Sequence, residues 1–492
     1  MRRIAELPSP WRYLVYVLLL VAAILLLRWL DKEDHAWPNI VHRDGCSQTV
    51  EIHYKLRPGA THHANAQLLF THLPPAVAAN DEDARARWRQ IEVPTRRSDE
   101  VLRWLANDRE VEEAFVAPEI TLPELNRAVG VNMTRDGDSC PIHTPSYEHH
   151  QGYVGPAPEG IDAPAAWKRG VRGQGVWFAD VEGGWNAKHE DLPGDRIWHV
   201  AGRVITDPTW RQHGTAVLGE VVGRDNGKGV VGLAPDVERV FTSSIGGLQV
   251  ADALDAAAEA LRPGDVLLIE LQGTGPRGRF LPVEYWDDNF DAIQAAARRG
   301  VVVIEAAGNG AEDLDSKAYK GKLSRATRDS GAIMVGAGAP PRQGYVDRAR
   351  LDFSNYGSRV DVQGWGRKVA TLDYGDLQSC DHPDDRRYAD RHYTNEFSGT
   401  SSASPIVAGA AVLLESWARQ THKAPLAPAV VRAVLRETGT PQVDGIGGSS
   451  HGFSTGFACT SGGCVDFTGP QQNIGPRPDL SRAFEALERE RR

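Results

Sequence analysis

The stretch VVVIEAAGNG, residues 301–310, sets four aliphatic side chains in a row and then narrows to small residues around Asn309. Alternation is missing, so this is not a strand with one face in water. A continuous apolar run of this length fits a strand of a parallel sheet covered on both faces. GVWFAD (175–180) and VLLIEL (266–271) read the same way. Between such runs lie helix-like stretches, VADALDAAAEALRPGD (250–265) and NFDAIQAAARRG (289–300). Strands and helices in alternation predict an α/β fold with a doubly wound, mostly parallel sheet from about residue 160 to the end. Ligands and reacting groups in such sheets gather at the carboxyl ends of the strands.

Four polar residues stand at those ends or at helix starts. GVWFADVEGGWNAKHEDL (175–192) carries Asp180, and RQHGTAVLGEVVG (211–223) carries His213. AAGN (306–309) carries Asn309, and EFSGTSSASPIVAGAAVLL (396–414) carries Ser401 at the head of an apolar helix. Serines at a helix start ordinarily cap backbone N–H groups, so this last stretch has no single meaning alone.

Taken together, GTSSASP, HGTAVLG, AAGN and FADVEGG…HEDL, in this order, resemble the subtilisin-like serine peptidases, or subtilases. Asp180 and His213 are 33 residues apart (213 − 180), a spacing similar to the family's. The resemblance covers about two thirds of the chain and implies a serine endopeptidase. Ser401 would be the nucleophile, His213 the general base and Asp180 the group that orients the imidazole. Asn309 would donate to the oxyanion. Glu182 is read as structural, on the other side of the strand from Asp180. LLIELQGTG (267–275) is similar to the strand that lines the family's primary specificity pocket, which makes Glu270, Leu271, Gln272 and Gly273, with Ala307 and Gly308, the substrate-binding set. Here the sequence departs from the family: Glu270 replaces a small polar residue and Gln272 a glycine. Glu270 and Glu305, expected on adjacent strands, either share a proton near the pocket or are satisfied separately. If Glu270 faces the substrate, basic side chains would be preferred.

No cofactor is required. The resemblance admits a structural calcium ion at Asp191, in HEDL, and Asn226, in GRDNGKGVVGLAP, since a carboxylate, an amide and backbone carbonyls suit that ion. The acidic CDHPDD (380–385) reads as a solvated loop. Residues 48–122 hold an alternating strand, VEIHYKLRPG (50–59), a helix (98–108) and a second strand (111–120). They form a small α+β unit similar to subtilase propeptides, whose tails fill the cleft. An accessory binding domain is the other reading of that unit. Residues 123–159 read as a linker or processing region, with the peptidase-like domain at 160–492.

At the N-terminus, Arg2, Arg3 and Arg12 precede an uncharged run from Tyr13 to Leu27. As a helix that run is roughly 22 Å long at ~1.5 Å per residue, short of the ~30 Å hydrocarbon core unless flanking residues extend it. A signal anchor in residues 1–30, followed by a linker at 31–47, is favoured over a cleaved signal peptide. The anchor puts the catalytic domain outside the cytoplasm, periplasmic or at the cell surface, tied to the membrane by the N-terminal helix. The cleaved signal makes the protein secreted. Five cysteines, with Cys459 and Cys464 close across a Gly-rich turn, suggest one local disulfide in an oxidising compartment. A net charge of −10 on 492 residues argues against nucleic acid as a partner. The partners expected are a protein or peptide substrate and the chain's own propeptide-like segment. A catalytically silent peptide-binding adaptor of the same fold is the alternative. An esterase or transpeptidase with the same reacting residues is the alternative among enzymes.

Overall fold

The computed structural model describes residues 49–58, 60, 84–123, 141–380, 390–443, 457–460, 463–466 and 472–489. The expected signal segment (1–30), the linker after it and nearly all of the acidic loop near 381–385 lie outside these residues. The chain divides into two compact units, Met1–Ala117 and Pro118–Arg492.

The first unit is a three-stranded antiparallel sheet with one helix. Its strands β1 (Thr49–Leu56), β2 (Trp88–Pro94) and β3 (Val111–Val116) lie in the order β2-β1-β3. Helix α1 (Ser98–Asn107) opens with Asp99 and Glu100, acids that favour a helix N-terminus. Ile52, Tyr54 and Leu56 pack with Ile91, Val101 and Leu105. The alternation in β1 predicts a wet second face, yet His53 and Lys55 are buried as well. β1 is the central strand, and aromatics from both neighbours cover that face: Phe115 against His53, and Trp88 beneath the Lys55 ammonium.

The second unit opens with the two-residue strand β4 (Ile120–Thr121) and the short helix α2 (Ala163–Trp167). Its main sheet contains β5 (Trp177–Glu182), β6 (Ile197–Ala201), β7 (Arg239–Ser244), β8 (Val266–Ile269), β11 (Val302–Ala306), β12 (Ile333–Gly338) and β13 (Val362–Trp365). Their order is β13-β12-β11-β8-β5-β7-β6, and every pair is parallel. The doubly wound parallel sheet predicted from the unbroken apolar runs is therefore present. Helices α3 (Pro208–Val222), α6 (Thr400–His422) and α8 (Leu480–Arg489) cover one face. Helices α4 (Val250–Glu259) and α5 (Asp287–Arg298) cover the other. Helix α7 (Pro428–Thr438) follows α6. Strands β9 (Gln272–Thr274) and β10 (Phe280–Pro282) leave the main sheet and join β4 in a small antiparallel sheet, β10-β9-β4. A two-stranded ribbon, β14 (Val369–Leu372) with β15 (Tyr393–Phe397), leads into α6.

Side-chain parity along the strands fixes what faces what. On β5, Phe178 belongs to the apolar cluster under α3 and α6, whereas Ala179 and Val181 belong to the α4/α5 cluster. Successive side chains alternate, so Asp180 and Glu182 both point to the α3/α6 face. On β8 and β11, Leu268 and Ile304 face α6, and Ile269 and Val303 face away. No helix among the described residues is long and apolar enough to cross a membrane. Cys459 and Cys464 sit opposite each other in a hairpin, with side chains outside the described set. Cys380 is disulfide-bonded, and the side chains of the other four cysteines lie outside the described residues.

Candidate active site

Ser401 is the second residue of α6, the longest described helix. The turn that delivers it passes through Gly399 at φ +112°, where a side chain would be strained. A β-carbon there would also stand 2.2 Å from the Pro123 carbonyl oxygen. That oxygen is the centre of the site. Ser401 Oγ donates to it at 2.6 Å, and Asn309 Nδ2 donates to it as well. Asn309 lies just beyond the carboxyl end of β11. Its amide is oriented from behind, because Thr400 N and Thr400 Oγ1 donate to Asn309 Oδ1 at 2.9 and 3.0 Å. This turns Nδ2 toward the carbonyl. A carbonyl oxygen is thus held between a hydroxyl and an amide at a helix N-terminus, where the backbone favours negative charge.

His213 lies in α3. That helix starts at Pro208 behind the cap of Asp207, whose side chain accepts from Thr209 N at 2.9 Å. The imidazole is fully buried and its ring meets Phe397 edge-on. The chain needs Gly214 next to it, since a β-carbon there would lie 2.4 Å from the Gly184 carbonyl. His213 Nδ1 is 2.9 Å from Glu182 Oε2, and both side chains are buried.

Asp180, expected as the partner of His213, is not in that position. Its Oδ2 accepts from Trp185 Nε1 at 2.6 Å. It lies two residues inside β5, whereas Glu182 is the last residue of the strand and reaches the helix that carries His213. Glu182 was expected on the opposite side, but residues i and i+2 of a strand share a face. Burial pushes the Asp180 carboxyl well above the usual carboxylate range, and the nearby charge of Glu182 adds to this. The Trp185 bond acts in the opposite direction without reversing it.

Of the two readings of Glu270 and Glu305, a shared proton or separate partners, the structure supports separate partners. Glu305 pairs in register with Ile269, so it faces α5, while Glu270 faces α6. Glu305 Oε1 accepts from Glu284 N at 2.9 Å, and burial with the Glu284 charge raises its pKa. Glu284 itself is drawn down, against burial, by a buried bidentate pair with Arg359. Glu270 is fully buried beneath the start of α6, where its partner is Ser404. Ser404 Oγ lies 2.6 Å from Glu270 Oε1 and 2.7 Å from the Thr400 carbonyl. One hydroxyl proton cannot serve both. A protonated Glu270 donating to Ser404 satisfies the set, and burial, opposed by the Ser404 bond, raises the Glu270 pKa in the sense required.

The remaining predicted residues do meet in one cleft. Gly273 pairs with Ile120 and Gln272 with Thr121 in the β4–β9 ladder, and Thr274 N donates to the Glu119 carbonyl. Leu271 belongs to the apolar cluster against which Ile120 packs. Gln272 Nε2 donates to the Leu122 carbonyl at 2.7 Å, and Gln272 Oε1 accepts from Asn309 N at 2.8 Å. Ala307 and Gly308 are fixed by Asn355, which bonds the carbonyl of each. A propeptide-like tail was expected in the cleft, but the seating of the Pro123 carbonyl on Ser401, the part of Thr400 and the contact of Glu182 with His213 were not read from the sequence. The position of Glu182 at the strand's carboxyl end could have revealed the last.

Asp191 and Asn226 do lie together, but not as a cation cage. Asn226 Nδ2 and Val230 N each donate to an Asp191 oxygen, at 2.8 and 2.9 Å, and Asn226 Oδ1 accepts from Lys228 N. Among the described residues, no group of three or more His, Cys, Asp or Glu side chains could hold a metal ion. The side chains of Asp191 and Asn226 are thus engaged with each other and with backbone N–H groups.

Comparison with known proteins places this site in context. The description "Subtilase family" matches residues 184–456. The major intracellular serine protease of Bacillus subtilis is 26% identical over 302 residues, 57% of this chain and 82% of that protein. Subtilisin Savinase of Lederbergia lenta is 28% identical over 263 residues, 52% of this chain and 81% of that protein. In structure the chain is similar to fervidolysin from Fervidobacterium pennivorans, a keratinolytic enzyme related to subtilisin. The TM-score is 0.54 at 17% identity, over 90% of this chain and 62% of that one, a likeness of fold.

Proposed function

Because the chain belongs to the subtilase family of serine proteases, we propose that it is a serine endopeptidase reacting through Ser401, His213 and Glu182. The observation that carries this reading is the Pro123 carbonyl held by Ser401 Oγ and Asn309 Nδ2. It marks where a scissile carbonyl would lie. Ser401 Oγ attacks the carbonyl carbon and its proton passes to His213 Nε2. The carbonyl electrons move onto oxygen, which receives hydrogen bonds from Asn309 Nδ2 and the Ser401 backbone N–H. Collapse of the intermediate breaks the C–N bond, and the leaving amine takes the proton from His213. Water repeats the sequence on the acyl-enzyme and frees the acid. Glu182 accepts from His213 Nδ1–H, holds the tautomer, and its charge offsets the imidazolium.

The same contact supports a zymogen. Residues up to Pro123 act as a pro-segment whose last residues lie along β9 as a substrate would, and cleavage falls at the bond after Pro123. Export belongs to this reading too. It is supported by the basic flank of the apolar run at 13–27 and by the disulfide at Cys380. A catalytic domain that added protease cannot reach in cells stripped of their outer envelope but with the cytoplasmic membrane intact would count against export.

The test is labelling by a fluorophosphonate, comparing the parent with Ser401→Ala, together with the N-terminus of the mature form. Labelling of the parent alone and a new terminus at Glu124 are expected. A folded parent that takes no label after release of the segment up to Pro123 would mark a silent peptide-binding protein instead.

A further inference from the structure

The Gln272 side chain bonds both the bound segment and the end of the strand that carries Asn309. The residue is 1% exposed with the segment Pro118–Pro123 in place. Oε1 is fixed by the backbone N–H of Asn309. Nε2 bonds the Leu122 carbonyl, one residue before the carbonyl held at Ser401, and lies 3.4 Å from Thr121 Oγ1. The same Oε1 is 3.6 Å from where a β-carbon on Gly308 would stand. The carboxamide therefore lies across the opening between β9 and the end of β11, beside Pro123. A glycine at 272 would leave that space open to the side chain of the residue whose carbonyl is attacked.

The residue bound there is matched to this arrangement. Pro123 is buried, and a proline brings no N–H that would need an acceptor in a dry site. The main-chain bond that a proline cannot make is offset by the bond from Gln272 to the preceding carbonyl. Three residues upstream, Ile120 packs on the apolar cluster of Leu271 and its neighbours. One end of the bound segment is thus gripped by an apolar side chain, and the other by a backbone carbonyl next to a compact ring.

We infer that Gln272 sets the primary specificity of this enzyme: it closes the first pocket to large side chains and selects peptides with proline or another small residue before the cut bond. This rests on the peptidase reading above. It predicts a substrate class, peptides such as Ile-Thr-Leu-Pro and Ile-Thr-Leu-Ala, that the serine, histidine and acid alone do not specify.

The experiment measures kcat/KM for fluorogenic peptides acyl-Ile-Thr-Leu-X, with X as Pro, Ala, Leu, Phe or Lys, on the full chain, Gln272→Gly and Gln272→Leu. Competition from the chain's own tail lowers all rates by one factor and leaves their ratios unchanged. For the parent, Pro and Ala should exceed Phe and Lys by at least about tenfold, the discrimination a pocket of restricted size gives. Gln272→Gly should shift the Phe-to-Ala ratio upward by about tenfold or more. Gln272→Leu keeps the bulk and loses both hydrogen bonds, so it should retain the ranking while KM rises for every peptide. A parent that prefers Phe or Lys, or an unchanged ratio in a folded Gln272→Gly, overturns the inference and leaves the peptidase reading intact. If Gln272→Gly does not fold, the parent profile and Gln272→Leu decide. Hydrolysis of none of the five by a parent that still takes the fluorophosphonate label also overturns the inference alone. Absence of both hydrolysis and label removes the peptidase reading and the inference with it.

Discussion

Two carboxylates, Asp180 and Glu182, compete for one role, and substitution separates them. Glu182 Oε2 lies 2.9 Å from His213 Nδ1. At an effective dielectric of about 20, a carboxylate and an imidazolium at that distance attract by about 6 kcal/mol. Glu182→Asp removes one methylene and draws the oxygen back by ~1.5 Å, which leaves about 4 kcal/mol. The difference of about 2 kcal/mol predicts a roughly 30-fold loss of kcat. Glu182→Gln removes the charge and lets an amide face Nδ1, so the loss should approach about 10⁴-fold. Asp180→Asn should leave kcat within about threefold, because burial favours the uncharged form of Asp180 and an amide oxygen still accepts from Trp185. The assay is kcat on a good peptide substrate with active sites counted by fluorophosphonate, and a thermal melt of each variant. A near-parental Glu182→Gln beside a crippled but folded Asp180→Asn would refute the assignment and restore Asp180.

Other outcomes follow from single contacts. Asn309→Ala should lower kcat by about 100–1000-fold with little change in KM, the usual cost of one oxyanion donor, as steady-state kinetics would read. Thr400→Val keeps the backbone bond to Asn309 Oδ1 but loses the hydroxyl one, and a severalfold fall in kcat at constant KM is expected. Glu415 is buried, accepts from Leu426 N at 3.1 Å, and has its pKa pushed up to about 8, mainly by burial. Between pH 4.5 and 8 the unfolded chain ionises this group while the folded chain keeps the proton, so stability falls as pH rises through that window. Glu415→Gln should flatten this slope, with melting temperature against pH as the check. Arg359→Met leaves Glu284 buried without its bidentate partner, while Asp361 keeps Arg325 and Arg436. It should destabilise by about 3–5 kcal/mol in a denaturant titration.

Much of the fold is legible in the chain because the evidence for it is local. Unbroken runs such as VLLI (266–269) dictate buried strands without reference to the rest of the chain. His213, Asn309 and Ser401 are legible because a strand end or a helix start marks each one. Glu182 is lost when residue type is weighed above position, since an aspartate two residues earlier satisfies the expected chemistry. The Glu270–Glu305 pairing fails on register: adjacent strands do not bring two residues together unless their parity agrees. The seating of Pro123 on Ser401 links residues 278 positions apart, and no periodicity carries that information. Gln272 stands out in the sequence as a replaced glycine, but its two bonding partners come from separate segments, so its task appears only when they converge.

The carbonyl of Pro123 has a kinetic consequence. While the segment remains part of the same chain, it meets the cleft at an effective concentration on the order of millimolar, whatever the amount of protein present. Once the following bond is cut, the identical contacts must be found by diffusion at the actual concentration of the fragment. On the zymogen reading proposed above, cleavage alone does not turn the enzyme on; dilution does. Activity should therefore emerge with a lag that shortens as the enzyme is diluted, or as another molecule consumes the released piece.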